Sequence, residues 1–494
     1  MQPLDAIYRT PLGLLTDLYQ LTMAYGYWKL GRADERAVFH LFFRKPPFGG
    51  GYAIAAGLSH AVELMRQFRF ETDDLDYLAT LTGNDGRPLF EQGFLDYLAA
   101  LEFTCDVDAI LEGTAVFAHE PLIRIRGPIL QAQILETALL NIVNFQTLIA
   151  TKAARVCQAA AGEPVLEFGL RRSQGIDGSL AASRSAYLGG CAATSNVLAG
   201  KLFGIPVKGT HAHSWVMSFD EEPDAFEAYA QAMPNNCVFL VDTYDTVAGV
   251  RNAIEVGRRL RQQGHEMIGI RLDSGDLANL SIKARKLLNE AGFPDAAIVA
   301  SNDLDEHAIA ELKARGAAIA VWGVGTKLAT AYDQPALGGV YKLGAIQTSD
   351  GTWQPRVKLS DQAIKTSIPG TLQVRRFERE GMFIGDMIYD ETTTPDPGRR
   401  LIDPAEADLS EQVEDDAAAC DLLVPIARDG RFLDVDITLE TARERARKQL
   451  ACLDESTRRF KDPDAYPVGL EPGLHALRRE MIRDKRDNAV TAEG

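Results

Sequence analysis

Six short polar clusters carry the residue types that could do chemistry, and each follows an apolar run. Phe168 leads into Arg171 and Arg172; Gly209 and Thr210 lead into His211, His213 and Ser214; Val241 leads into Asp242, Thr243, Tyr244 and Asp245. Arg271 is followed by Asp273, Ser274, Gly275 and Asp276, Ser301 by Asn302 and Asp303, and Trp322 by Gly323, Gly325, Thr326 and Lys327. His213 with an aspartate partner is an orientable imidazole that can act as a nucleophile, accept a phosphoryl group or polarise a substrate. A Gly-x-Gly-Thr turn after a strand offers backbone N–H groups and a hydroxyl to a phosphate. Arg171 and Arg271 suit a carboxylate or phosphate. Phe168 could stack on an aromatic ring, worth roughly 0.5–1.5 kcal/mol beyond its burial. Asp273 and Asp276 could hold Mg²⁺, directly or through water, or hydrogen-bond ribose hydroxyls.

Each cluster also has a plainer explanation. Two arginines after a strand can be a solvated loop, and a lone histidine can be structural. Asp273 and Asp276 can cap the helix that begins near Leu277. Gly323 and Gly325 can form a tight turn. The run Lys45-Pro46-Pro47-Phe48-Gly49-Gly50-Gly51 is a loop; a phosphate cradle wants a helix directly after it, and Tyr52 to Ala55 is more strand-like. These explanations lose force if the six clusters meet at one end of one sheet.

The elements that must position them are legible as a pattern. Apolar strands are expected at 164–169, 205–209, 237–242, 267–271, 297–301 and 318–323. Helices are expected at 247–263, 277–291 and 304–315, with Gly264, Gly292 and Gly316 at their C-terminal caps. Continuous apolar strands alternating with amphipathic helices imply a parallel sheet covered by helices. A barrel is preferred over an open doubly wound sheet, because polar residues follow nearly every strand rather than one switch point. Before this lies a mixed α+β region with a helix from Thr16 to Tyr25, capped by Thr16 or Asp17, and a largely apolar helix over 131–161. After Lys342 the pattern weakens. Residues 403–420 read as acidic helix or loop, 422–426 as an edge strand at best because of Pro425, and 484–494 as a frayed end.

Composition narrows the function. The chain has 494 residues and a net charge of −17, which disfavours a general role on nucleic acid. The cysteines Cys105, Cys157, Cys191, Cys237, Cys420 and Cys452 form no CxxC pair, so reduced thiols in the cytoplasm are expected rather than zinc or a disulfide framework. The first residues lack a signal-peptide pattern, and no run of about 18 apolar residues suggests a membrane span.

Taken together, TDLYQLTMAYGY, EFGLRRSQGIDG, GTHAHSW, VDTYDT, RLDSGDL and WGVGTKL followed by LGGVYKL resemble the nicotinate phosphoribosyltransferase family over residues 12–376. The resemblance implies an incomplete (β/α) barrel of the type II phosphoribosyltransferase kind beside an N-terminal α+β domain. It implies transfer of a phosphoribosyl group from phosphoribosyl pyrophosphate to nicotinate, coupled to ATP hydrolysis through a phosphorylated histidine. The implied domains are 1–125, contributing to the partner's active site in a homodimer; 126–345, catalytic; and 346–494, packing partly back on the first. His213 matches the phosphorylated histidine and Asp242 the carboxylate that orients it. Tyr19 (from the second subunit), Phe168, Arg171, Thr210 and Arg271 match the groups around nicotinate. Asp273 and Asp276 match the acidic loop near ribose and a substrate-bound Mg²⁺, and Gly323, Gly325 and Thr326 the 5′-phosphate turn. The zinc cysteines of some family members are absent, and no dedicated protein metal site is expected.

Three alternatives follow from the same residues. Nicotinamide phosphoribosyltransferase shares the fold, but residues 189–196 hold no acid to receive an amide and the two arginines suit an anion. A non-catalytic metabolite-binding barrel would have little need of His213, Asp242, Asp273 and Asp276. A barrel aldolase wants a Schiff-base lysine, and only Lys208 and Lys327 come close.

Overall fold

The computed structural model describes residues 11–360, 362, 365–394, 396, 398–404 and 410–492. They divide into two compact units, Met1–Leu148 with Ala336–Gly494, and Ile149–Pro335. The divisions fall at 148/149 and 335/336 rather than at the expected 125/126 and 345/346. Strand pairing moves the second one: Val340–Gln347 lies antiparallel to Arg36–Phe42 and so belongs with the N-terminal residues.

The unit Ile149–Pro335 is built on a parallel sheet. Its strands are β1 (Val165–Glu167), β2 (Ala193–Thr194), β3 (Val238–Leu240), β4 (Gly269–Leu272), β5 (Ala297–Asn302) and β6 (Val321–Val324). The order across the sheet is β2-β1-β6-β5-β4-β3, so the last strand pairs with the first. The expected strand over 205–209 shrinks to one parallel bridge, Val207 with Thr194, beside β2. Neighbours in space are therefore neighbours along the chain all the way round, the signature of a barrel rather than an open doubly wound sheet. One seam stays unpaired, between the Val207 segment and β3.

The strands are buried and the helices between them amphipathic, so the core lies between the two layers. Helices Thr246–Gln262, Leu277–Glu290 and Glu306–Ala314 agree with the expected spans. Gly264, Gly292 and Gly316 follow them at φ of 84°, 83° and 74°, the left-handed conformation of a C-terminal cap.

In the other unit, an antiparallel sheet runs Trp353–Pro355, Val340–Gln347, Arg36–Phe42, Ile123–Pro128, Asp106–Ile110, Leu423–Arg428 and Arg431–Phe432. Leu423–Arg428 is paired on both sides and is not an edge strand; its register shifts between Pro425 and Ala427, which accommodates the missing N–H. A second sheet includes Ser410–Gln412 and Ala418–Asp421, where helix or loop was expected; residues 405–409 lie outside the described set. The region over 131–161 is two helices, Ile129–Ile134 and Glu136–Ala160. The final helix, Pro472–Ala492, covers most of the end expected to fray.

Candidate active site

The C-terminal ends of β1 and β3 to β6, with the loop after Val207, carry all six polar clusters. Contacts join them into one set. Phe168 lies over Gly323, where a Cβ would come within 2.8 Å of its ring, so glycine is required at that position. Gly323 is in register with Ser301, whose hydroxyl donates to Asp273 Oδ1 at 2.5 Å. Asp273 Oδ2 lies 3.7 Å from His213 Nε2. On its other side the His213 ring meets Thr243 Oγ1, 3.1 Å from Nδ1. Arg271 Nη1 donates to Thr210 Oγ1 at 2.6 Å.

Asp242 works one step away from where the resemblance placed it. Its Oδ2 accepts the Asp273 backbone N–H and the Ser274 hydroxyl, each at 2.7 Å. The His213 ring is flanked instead by Thr243 and Asp273. Asp242 therefore holds the loop that presents Asp273, and its other oxygen, Oδ1, is buried with no hydrogen-bond partner.

Asp276 departs from the set. Its side chain accepts the Asn279 N–H that starts the helix Leu277–Glu290, and it pairs with Arg315 at 2.7 Å. The Arg315 hydrogen bond and the cap hold its carboxyl below the usual range. It is a helix cap, the plainer of its two explanations. Tyr19 belongs to the other unit, on the helix Leu18–Lys29, where Leu18, Tyr19 and Met23 are exposed apolar residues, as is Leu15 in the turn before it.

The electrostatics favour an anion between the arginines. Burial pushes the Arg271 guanidinium below its ordinary range; Asp273 and Asp242 oppose that shift and the Arg171 charge adds to it. Arg271 Nε is buried without a partner. Arg171 lies on the exposed turn Leu170–Arg172 and pairs with no carboxylate among the described residues. Two cations in reach of each other, one with an unmet donor, suit a planar carboxylate or phosphate.

Several groups position the site in ways that residue type alone did not show, and one of them, Glu167, lies outside the polar clusters. His211 crosses the open seam: the backbone N–H of Leu240 in β3 donates to its Nε2 at 3.2 Å. That bond requires a lone pair on Nε2 and hence the proton on Nδ1. Burial holds the ring neutral, down to about 4, and its edge meets Tyr229 at 4.8 Å. His211 thus takes the place of the missing neighbouring strand and fastens the loop that carries His213. Glu167, an acid within a buried strand, accepts from Ser183 and Thr194 at 2.8 and 2.6 Å and from the Gly169 N–H. It fixes the turn between Phe168 and Arg171; a carboxylate inside an apolar run was the available hint. Asn302 ends β5 at φ 140°, a strained value for a non-glycine residue. Thr326 opens the short helix Thr326–Ala329 behind Gly325. Lys327 pairs with Asp305 at 2.6 Å, which raises its pKa, the opposite of what a Schiff-base lysine needs.

Comparison with known proteins agrees with this geometry. Models of the nicotinate phosphoribosyltransferase N-terminal domain, family region and C-terminal domain match residues 14–144, 164–388 and 373–478. Nicotinate phosphoribosyltransferase of Bacillus subtilis (strain 168) is 45% identical over 480 residues, 96% of each chain. The chain belongs to the nicotinate phosphoribosyltransferase family. The crystal structure of human nicotinic acid phosphoribosyltransferase superposes with a TM-score of 0.83 at 34% identity, covering 94% of this chain and 99% of that one. Nicotinate-nucleotide pyrophosphorylase from Pyrococcus furiosus shares the fold, with a TM-score of 0.67 at 20% identity over 89% of this chain and 95% of that one. The chain is an enzyme of this family on a type II phosphoribosyltransferase barrel. Among the described residues no helix is long and apolar enough to cross a membrane, and the cysteines form no disulfide.

Proposed function

We propose that the protein transfers the phosphoribosyl group of phosphoribosyl pyrophosphate to nicotinate in NAD salvage, giving nicotinate mononucleotide and pyrophosphate. ATP hydrolysis is coupled to the transfer through a phosphorylated His213. The observation that carries this reading is the connected set at the strand ends: an anion-ready arginine pair, a stacking ring over a glycine turn, and an imidazole held between Thr243 and Asp273.

Phe168 stacks on the pyridine ring, and Arg271, Thr210 and Arg171 hold its carboxylate. The pyridine nitrogen has a free lone pair and needs no general base. That pair forms the bond to ribose C1 as the bond from C1 to pyrophosphate breaks, the electrons leaving with pyrophosphate. Gly323, Gly325 and Thr326 hold the 5′-phosphate and Asp273 the ribose side. The ordering of these groups before reaction is the electrostatic contribution of the chain.

Thr243 engages Nδ1 of His213, which leaves Nε2 to attack the terminal phosphorus of ATP. The N–P bond forms, the P–O bond breaks and ADP leaves with the electron pair. Water later cleaves the N–P bond and releases phosphate.

A divalent cation fits the donor set. Asp242 Oδ1 is a buried carboxylate oxygen with nothing bonded to it, and Asp273 Oδ2 faces the histidine. Mg²⁺ carried in on substrate phosphates needs only one or two carboxylates from the protein. Asp242 and Asp273 would hold it there, and when bound it neutralises charge on the departing pyrophosphate.

The exposed apolar residues Leu15, Leu18, Tyr19 and Met23 support a homodimer in which Tyr19 serves the partner's site. Thiols outside any disulfide suit the cytoplasm.

The test is turnover of nicotinate, nicotinamide and quinolinate with and without ATP, in wild type and His213→Ala. Nicotinate is expected to be the substrate, with ATP stimulating wild type only. Equal ATP stimulation in the variant sinks the phosphohistidine, and preference for nicotinamide sinks the substrate assignment.

A further inference from the structure

The unit formed by the two ends of the chain contains a cavity of about 1200 Å³. None of the six strand-end clusters lines it; its walls all come from residues 45–51, 117–119 and the C-terminal segment. Among them are Lys45, Gly49, His119, Tyr466 and Arg478. The Lys45–Gly51 loop, which the transfer reaction leaves without a role, therefore forms one wall. Small-molecule sites usually enclose roughly 300–1,000 Å³, so this one has room for a ligand of nucleotide size.

Lys45 and Arg478 are the cations that line the cavity, and Asp403, Glu411 and Asp464 are the acids. Arg478 is 8% exposed. Its guanidinium donates to the carbonyls of Ser367, Pro404 and Thr366 at 3.3, 2.9 and 3.4 Å. No carboxylate among the described residues pairs with it. Three carbonyls satisfy part of a five-donor fork but cancel none of its charge. Lys45 is exposed and makes no ion pair, and Arg44 Nε is buried without a partner. Burial, then the Arg478 and Arg44 charges, hold the half-buried His119 ring neutral, at about 4. His119 itself is a non-glycine residue at φ 71°, and Gly49 and Phe48 of the facing loop lie at 57° and 59°. Left-handed residues of this kind gather where a ligand justifies the strain. The rest of the lining is largely apolar, with Phe117 and Tyr466 stacked 3.8 Å apart.

We propose that this cavity is a binding site for a small organic anion, a carboxylate or phosphate monoester on an apolar or ring-bearing body, with Arg478 and Lys45 receiving the anionic head. Such a ligand supplies the counter-charge that the buried guanidinium lacks and fills the apolar part of the space. Binding to the folded state alone also raises its stability.

The probe is anilinonaphthalene sulfonate, an aromatic anion that fluoresces when it leaves water, titrated into the full-length protein. Ala118→Trp fills the cavity from the half-buried turn beside His119, and Lys45→Ala removes the exposed cation. A saturable signal is expected in wild type, with affinity at least tenfold weaker in Ala118→Trp and severalfold weaker in Lys45→Ala, at melting temperatures near wild type. Arg478→Gln is expected to weaken binding further; if it does not fold, the other two variants decide. Displacement by millimolar inorganic phosphate points to a phosphate ester and displacement by benzoate to a carboxylate. Unchanged affinity in Ala118→Trp, or displacement by neither anion, overturns the proposal. The readout is dye binding and does not depend on which base the barrel uses.

Discussion

Replacing His211 by leucine tests whether a side chain closes the seam that the barrel strands leave open. In the native protein the Leu240 N–H donates to His211 Nε2 at 3.2 Å, and both groups are buried. Leucine fills similar space but accepts nothing, so the Leu240 N–H is orphaned. Leaving a buried donor unmet costs about 1–3 kcal/mol. Local opening of β3 should become easier by that amount, and at 1.4 kcal/mol per factor of ten the Leu240 amide should exchange roughly 5- to 150-fold faster. Glutamine can place its side-chain oxygen near the position of Nε2, so His211→Gln should recover most of the protection. The assay is hydrogen–deuterium exchange read by mass spectrometry on peptides covering 209–217 and 237–242, alongside turnover of nicotinate. Faster exchange confined to those peptides, with lower turnover in the leucine variant and recovery in the glutamine variant, is the expected pattern. Unchanged exchange at Leu240 in His211→Leu refutes the seam argument outright. Faster exchange throughout the chain would instead mean that the ring supports the whole unit.

The same ring sets a pH dependence. His211 is held neutral to about pH 4 when folded and is free to take a proton near 6.5 when unfolded, so its contribution is complete above 6.5 and is lost as pH falls toward 4. Between pH 6.5 and 5.5 wild type should lose about 1 kcal/mol more than His211→Gln in denaturant melts, since every other group titrates in both proteins; parallel losses would contradict the burial argument. Asp276→Ala should cost about 1 kcal/mol through the lost cap, its exposed pair with Arg315 adding little, while turnover stays within about twofold; a collapse of turnover in a well-folded variant would return Asp276 to the site. Arg271→Gln should raise KM for nicotinate roughly 10- to 100-fold, the worth of a charge-assisted bond at about 1.5–3 kcal/mol, and leave any nicotinamide turnover nearly unchanged. Equal effects on the two bases would argue against Arg271 as the carboxylate partner.

Local rules made much of the second unit legible. The glycines at 264, 292 and 316 ended their helices because a left-handed residue is tolerated best without a Cβ. The apolar runs became buried parallel strands because both of their faces are covered. Pairing partners are non-local, and there the reading faltered. Ile205 to Gly209 has the composition of a strand, yet only Val207 bridges, because nothing but β2 lies beside it. Pro425 argues against an interior strand, yet a register shift beside it lets Leu423–Arg428 pair on both sides.

The sequence alone determined which side chains could do chemistry: a histidine that can be phosphorylated, acids near it, arginines for an anion and a glycine turn for a phosphate. Residue type fixes what a group can donate, accept or attack, whatever surrounds it. Only the tertiary structure decided which of them touch. It put Thr243 and Asp273 beside His213 and moved Asp242 behind Asp273; it spent Asp276 on a helix cap and used His211 to close the seam. Those assignments depend on a few ångströms of separation between groups that the chain keeps up to tens of residues apart, and no local pattern encodes such distances.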